Sequence, residues 1–524
     1  MFSTARTRWS RAVKALALTA AAAGAIALAG CTSGGGGTVA PPSDTLTVAV
    51  STPPISMDPT TAGNGLPLAW YMAVAYEPLI QRDPDGATSP GLATSWEYSE
   101  DRLSFVLQLR EGVTFSDGDD LTAEAVVAWL EHYKANGSFS GTWFSNVAAF
   151  EATGPLEVTI RLSAPDPMLP WGLGQAGNAG AIVSPTGLAN ADLLGTETHG
   201  AGPYMLDSDA TVANSSYVFV KNPNYWDPDA QHYEKIVFTV IADQNSALAA
   251  LRSGQVQVAQ GSASTAEAAL EAGLTVSQGP SAMVGAYFAD FDGTVVPQFA
   301  DLRVRQALNY AIDREAITTA VYGEFGTPTA LYTPPGIAGF LPELEETYPY
   351  DPEKAKELLA DAGYPDGFGF TMLVQTGIDN GDLLAEAMVA QWKEIGVNVE
   401  LKSFPAFADY VTDYFSNQYG ITTLNFNYSE QLIATTGLAT TGAVYNTFRF
   451  DDPGINALAD EQRRWDTDSP EGIAAAEASE TYLVENAFAV PVASIDAVIF
   501  STSAVTNVDF SVFLAQPQYW QPAG

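Results

Sequence analysis

Histidine is scarce, with only His132, His199 and His232 in 524 residues. Cysteine is scarcer still: Cys31 stands alone, so the chain can close no disulfide of its own. No HExxH, CxxC or Walker pattern occurs. The one GxGxxG match, Gly172-Leu-Gly174-Gln-Ala-Gly177, follows Pro165, Pro167 and Pro170 instead of a strand, which is the wrong setting for a dinucleotide. Basic residues are few as well, 22 Lys and Arg against 61 Asp and Glu, for a formal net charge of −39. That field argues against nucleic acid, whose binding depends on neutralised phosphates. It also repels anionic lipid headgroups. Adjacent acids such as Asp119/Asp120, Glu345/Glu346 and Asp451/Asp452 suit a glycosidase on paper. Among 61 carboxylates, however, such neighbours arise by chance. Asp83-Pro-Asp85-Gly86 and Asp117-Gly-Asp119-Asp120 read as turns and lack the spaced ligands of a calcium loop. No catalytic, cofactor or metal constellation emerges.

One long apolar run is present. Arg6, Arg8, Arg11 and Lys14 lead into an Ala/Leu-rich stretch from Ala15 to Gly30, which Leu28-Ala29-Gly30-Cys31 closes. A positive start, a short apolar middle and small residues at the cut make a secretory signal. The run is short for a bilayer span. With a lone thiol at the cut it resembles a bacterial lipoprotein signal, which implies loss of residues 1–30 and diacylation of Cys31. Residues 31–43 then form a flexible Gly/Ser linker ending in Pro41-Pro42-Ser43. Each buried acyl CH2 contributes about 0.8 kcal/mol, so two chains anchor stably. The expectation is an exported protein held on the outer face of the cytoplasmic membrane by lipidated Cys31. An ordinary secreted protein with a chance cysteine is the alternative.

Hydrophobic content of 47% is enough to fill real cores despite the charge. The body is long enough for two or three packed units. Period-two stretches mark strands at Leu46–Val50, Phe105–Leu109, Val158–Leu162, Ile236–Val240 and Val397–Leu401. Asp351 caps a helix with Pro352 at its first position, and Gly363 stops it. The stripe Val304, Ala307, Leu308, Ala311, Ile312 predicts one amphipathic helix from Asp301 to near Gly323. Another runs from about Leu383 to Ile395 and feeds the strand at Val397. Helix, turn and strand in that order give α/β lobes.

From Tyr76 to Glu131 the sequence strongly resembles the family 5 extracellular solute-binding proteins, the peptide- and nickel-type receptors of bacterial ABC importers. The matching pieces are Tyr76-Glu-Pro-Leu79, Pro90-Gly-Leu-Ala93 with Ser95-Trp96, and Leu109-Arg-Glu-Gly-Val113 before a helix. Gly200-Ala-Gly202-Pro-Tyr204, Asn222-Pro-Asn-Tyr225-Trp226 and the helix from Asp301 to Arg314 follow in family order. The resemblance covers nearly the whole chain from Leu46 onward. It implies a two-lobe periplasmic-binding-protein fold of type 2 with an extra subdomain in lobe one and the ligand cleft between lobes. Carried over, lobe one spans 44–282 plus 488–524 with its subdomain near 81–199, and lobe two spans 283–487. Hinges fall near Val276–Val284 and Ala487–Val492. The implied role is capture of a small solute by lobe closure and delivery to permease subunits, without chemistry or cofactor. The shared motifs are read as fold-defining and not as ligand contacts.

Ligand class is where the chain departs from the family. Peptide receptors of this kind carry a Trp and an Asp in lobe two, the Asp pairing with the ligand's α-amino group. The corresponding stretch here is Leu424-Asn425-Phe426-Asn427-Tyr428-Ser429-Glu430, which has neither. Asn425 or Asn427 stands nearest the missing carboxylate, and Glu430 is a possible substitute. No Lys or Arg lies between Lys402 and Arg449, so that segment offers a ligand carboxylate no guanidinium. Its aromatics and amides suit a neutral polar ligand. Peptides or peptide-like solutes lead on family grounds. A neutral oligosaccharide or a preformed metal chelate is the alternative, and a surface hydrolase or adhesin a distant third. Candidate ligand contacts are Asn425, Asn427 and Tyr428 in lobe two, and Trp70, Tyr71 and the loop Ser51–Ser56 in lobe one. Tyr287 and Phe288 are expected on the cleft floor.

Overall fold

A computed structural model describes residues 44–63, 65–82, 87–138, 143–175, 177–376, 380–404, 407–426, 430–511 and 514–524. The expected lipid site Cys31, the signal and the linker lie outside the described residues, as do Asn427 and Tyr428.

A single mixed sheet runs through the molecule. Its strand order is Val397–Phe404, Phe368–Gln375, Ile421–Phe426, Thr275–Phe288, Ala489–Ser501, Val258–Gln260, Thr45–Val50, Lys235–Val240, Ser216–Lys221, Tyr204–Leu206. Gly326–Pro328 adds to Ala489–Ser501 off this path. The central pair are the longest strands, 14 and 13 residues, antiparallel from Thr275 opposite Ser501 to Tyr287 opposite Ala489. Each half of the sheet carries its own core. One gathers Leu46, Trp70, Tyr71, Ile236 and Phe238. The other gathers Phe288, Leu308, Met388, Trp392 and Val490. Those are the two lobes. On lobe one sits the added subdomain, a four-stranded antiparallel sheet of Ala93–Tyr98, Ser104–Leu109, Glu157–Leu162 and Val147–Gly154. The helix Ala123–Asn136 buries Trp129, Leu130 and Tyr133 in the same lobe-one core.

All five expected strands form. Asp351 caps Pro352–Asp361 by accepting from Lys354 N, and Gly363 beyond it holds φ +97°. The expected helix from 301 to 323 proves to be two, Leu302–Tyr310 and Arg314–Val321. Asp313 breaks it by capping the second, accepting from Ala316 N while its own N–H donates to Gln391 Oε1. Periodicity alone cannot reveal that restart, because the apolar stripe continues across it.

The scattered motifs meet around Ala75–Glu77, where the buried Glu77 carboxyl accepts from Tyr225 Oη at 3.0 Å and from the Gln81 amide. Gly202 N–H donates to Ala75 O, and Asn222 Nδ2 donates to Gly202 O. Arg110 lies over the Trp226 ring at 3.8 Å. A Cβ on Gly202 would stand 2.4 Å from the Ala75 carbonyl carbon, so backbone would have to move. Gly202→Ala is expected to cost about 2 kcal/mol by overpacking. Urea denaturation checks this, and an unchanged midpoint would refute it.

Candidate functional site

The lobes meet along a seam between the lobe-one subdomain and the lobe-two helix Gln431–Ala434. Leu432 of that helix is buried within the lobe-one core, and Ile433 packs against both cores. Just ahead of it, Glu430 turns its carboxylate onto lobe one. Arg82 Nη2 donates to Glu430 Oε1 at 3.3 Å, and Trp171 Nε1 donates to the same oxygen at 3.0 Å. The Arg82 guanidinium carbon lies over the Trp171 ring, 3.4 Å from its centroid. The Arg82 backbone is fixed at both ends, its N–H donating to Gln175 Oε1 and its carbonyl accepting from Gln516 Nε2. A second contact crosses the seam where Arg102 Nη2 donates to Asp466 Oδ1 at 2.8 Å. Burial pushes the Glu430 carboxyl above its ordinary value and the Arg82 guanidinium below its own, in each case against the partner's pull. Glu430, left open by the sequence as a partner for a ligand amine, is thus occupied by a cation of the protein itself.

Asn425 is half-buried at the end of Ile421–Phe426, in register with Val284. Of the other described candidates, Trp70, Tyr71, Tyr287 and Phe288 are fully buried, whereas the loop Ser51–Ser56 is half-buried to exposed. Tyr71 packs against Tyr217 and Phe238, and its hydroxyl donates to Thr52 O. Trp70 meets Trp520 edge-on at 5.4 Å, and both indole N–H groups are buried without a hydrogen-bond partner among the described residues. Tyr287 and Phe288, expected on the cleft floor, lie inside the lobe-two core. Tyr287 donates to Leu438 O, and Phe288 sits 5.0 Å from the Phe299 ring. The aromatics of 402–449 are also largely spent on packing: Tyr410 stacks on Tyr414, Tyr414 donates to Tyr445 O, and Phe426 meets Tyr445 edge-on. Arg82, Trp171, Arg102 and Asp466 were missed by sequence reasoning. Nothing local marks them, since their partners lie 259 to 364 positions away in the chain.

One cluster brings a serine, a histidine and acids together, but in the wrong order for nucleophilic catalysis. Ser184 Oγ donates to Asp117 Oδ2 and, as a helix cap, accepts from Gly187 N. His199 Nδ1 meets the same Asp117 oxygen, while its Nε2 faces Glu197. The serine is therefore bonded to the acid and not to the base.

The family model for bacterial extracellular solute-binding proteins, family 5 Middle, matches residues 87–432. The chain belongs to that family. Glutathione-binding protein GsiB of Shigella flexneri and of Escherichia coli K12 are each 31% identical to it over 363 residues, covering 68% of this chain and 69% of theirs. Among solved structures, AgaA from A. tumefaciens R10, in complex with agropinic acid, superposes with a TM-score of 0.80 at 24% identity, covering 92% of this chain and 99% of its own. DppA from Helicobacter pylori, in complex with peptide STSA, gives 0.77 at 21% identity, with 92% and 98% covered. This family 5 protein accordingly has the two-lobe binding-protein fold and serves as the solute receptor of an ABC importer, not as an enzyme. Family 5 proteins work outside the cytoplasm, and no helix among the described residues is long and apolar enough to cross a membrane.

Proposed function

We propose that this receptor is lipid-anchored through Cys31 and takes short peptides or peptide-like solutes between its lobes. The observation that carries the ligand class is the 31% identity to glutathione-binding proteins over two thirds of the chain. Lobe one is assigned to 44–282 plus 488–524 with its subdomain at 81–199, and lobe two to 283–487. Hinges are assigned at 276–284 and 487–492, which agrees with the two long strands there. Asn425, Asn427 and Tyr428 are assigned to the ligand, whereas Trp70, Tyr71, Tyr287 and Phe288 are enclosed in the lobe cores. Glu430 is held by Arg82, and no basic residue lies between Lys402 and Arg449. Solutes with modified or uncharged ends are therefore favoured over free zwitterionic peptides. A neutral oligosaccharide is the second reading, favoured by that missing charge but weakened because Tyr410, Tyr414 and Phe426 pack on their neighbours.

Native mass spectrometry of the mature chain, before and after unfolding and refolding, tests the assignment. The expected result is a co-purified mass in the range of a short peptide that disappears on refolding and returns on adding an end-blocked tripeptide, more readily than on adding the free tripeptide or glutathione. Hexose-spaced masses would replace the peptide reading with the oligosaccharide one. Intact mass of the membrane fraction checks the diacylated Cys31.

A further inference from the structure

Two ion pairs cross the seam, and they are built alike. Each takes its arginine from the lobe-one subdomain and its acid from lobe two: Arg82 with Glu430, and Arg102 with Asp466. Each guanidinium rests on an aromatic ring of the subdomain, Arg82 on Trp171 at 3.4 Å and Arg102 on Tyr98 at 4.3 Å. Each ring is itself secured across the seam or within the subdomain. Trp171 donates to the same Glu430 oxygen, and Tyr98 Oη donates to Asp166 O at 2.6 Å. In a chain so rich in acid, cations placed on rings and aimed at the opposite lobe are not background charge.

A third observation is independent of these contacts. Arg102 sits in the turn between Ala93–Tyr98 and Ser104–Leu109 with φ +57°. That left-handed conformation costs roughly 1 kcal/mol for a residue with a β-carbon and is ordinarily given to Gly or Asn. The turn keeps an arginine there, and the arginine reaches lobe two. Strain of this kind persists where something else requires the residue.

We propose that Arg82–Glu430 and Arg102–Asp466 form an internal clasp that sets the balance between open and closed lobes, so that these four side chains act as positioning residues for solute capture. The clasp belongs to the two-lobe receptor and does not depend on which solute is bound. Its physics is that of a half-buried ion pair. The side chains of Arg82 and Glu430 are 18% and 12% exposed, so forming the pair sacrifices hydration that the attraction only partly returns. Its main effect is conditional. With both partners present closure is tolerated and registered. With Arg82 or Glu430 removed, closure buries an uncompensated charge and the open form is favoured. The Asp466 side chain is 54% exposed, so removing Arg102 takes away only the attraction across the seam. Because apparent affinity scales with the fraction of closable molecules, the clasp tunes uptake without touching the solute.

Small-angle scattering of the mature protein without added solute tests this directly. Arg82→Met and Glu430→Gln should each shift the radius of gyration upward, with at least a tenfold change in the open-to-closed ratio. The double variant Arg82→Met/Glu430→Met should return toward the parent value, a rescue that simple loss of packing would not give. Arg102→Asn, which suits the left-handed turn, should open the molecule while keeping or raising its melting temperature. Single variants that scatter like the parent, or a double variant no closer to it than the singles, would overturn the proposal. If the Arg82 and Glu430 variants fail to fold, Arg102→Asn decides: parent-like scattering rejects the clasp and expansion supports it. Since no solute is added, failure here leaves the ligand class untouched, and an empty native mass spectrum leaves the clasp untouched.

Discussion

Replacing Arg305 by methionine is expected to lower stability by about 4 kcal/mol, with the loss confined to lobe two. Arg305 lies on the helix Leu302–Tyr310, is 7% exposed, and among the described residues has no acid hydrogen-bonded to it. Its fork instead closes three backbone carbonyls: Phe299 O at 2.7 Å, Asn486 O at 3.0 Å and Ala487 O at 3.3 Å. Burial pushes the guanidinium down to about 10, yet it remains a cation at neutral pH. Methionine fills similar volume but donates nothing, so three carbonyls lose their partner at about 1–3 kcal/mol each. Relief from burying the charge offsets part of that. Arg305→Lys should recover only part, since one ammonium cannot span all three oxygens. The measurement is the urea midpoint followed by tryptophan fluorescence, to which Trp392 of the lobe-two core contributes. A loss below 1 kcal/mol would show that the three carbonyls find other donors.

Stability should also rise as the protein is moved from pH 8 toward pH 5, and Glu480→Gln should flatten that rise. Glu480 is buried in lobe two, where its carboxyl accepts from Tyr332 N at 2.7 Å, Thr333 N at 3.4 Å and Thr333 Oγ1 at 2.7 Å. Burial pushes it up from 4.5 to about 7, against the pull of those donors. A carboxyl raised on folding takes up its proton more readily in the folded chain. Its contribution is therefore complete below about pH 4.5 and is lost as pH climbs to about 7, beyond which the curve levels. The interval corresponds to ~3 kcal/mol. Glu77 is raised to about 7 by the same cause, so two groups add to one slope. In more acid solution the sign reverses for Asp301 and Asp243, whose carboxyls are lowered by Arg303 and Ser246 respectively. Those contributions fade as pH falls through the lowered values. Urea midpoints at several pH values, parent against Glu480→Gln, are the check. A variant with the parent's slope between pH 5 and 7 would exclude Glu480 as a source.

Much of the fold is legible in the chain because its determinants are local or periodic. Asp351 with Pro352 starts a helix wherever it occurs, and Leu46–Val50 alternates as a strand must. Gly200, Gly202 and the Tyr-Glu-Pro motif could be matched to a family, although only the structure shows that the glycines pack on Ala75 and Tyr76, next to Glu77. The candidate site was less legible for two physical reasons. First, burial was misjudged where an element is enclosed on all sides. Tyr287 and Phe288 alternate across a strand, and both are covered because the sheet is packed on both faces. Trp70 and Tyr71 lie on the helix Leu68–Ala75, six of whose eight residues are buried. Second, the most telling contacts join distant parts of the chain. Glu430 carries no local sign that its partner is Arg82, and an acid beside amides reads as a free carboxylate.

The central strand pair also has a mechanical consequence. Thr275–Phe288 and Ala489–Ser501 are not loose tethers but a ribbon laced along most of its length, interrupted between Pro280 and Ala282 and again between Val284 and Gly285. A laced ribbon resists stretching and shear far more than it resists twist. Relative motion of the two halves is thereby reduced to little more than one coordinate, with the flexure concentrated at the two interruptions. A body guided in that way swings back along the track it left by. Side chains far apart in the chain can then meet across the seam on every swing without a search, as the teeth of a zip meet once the slider is aligned.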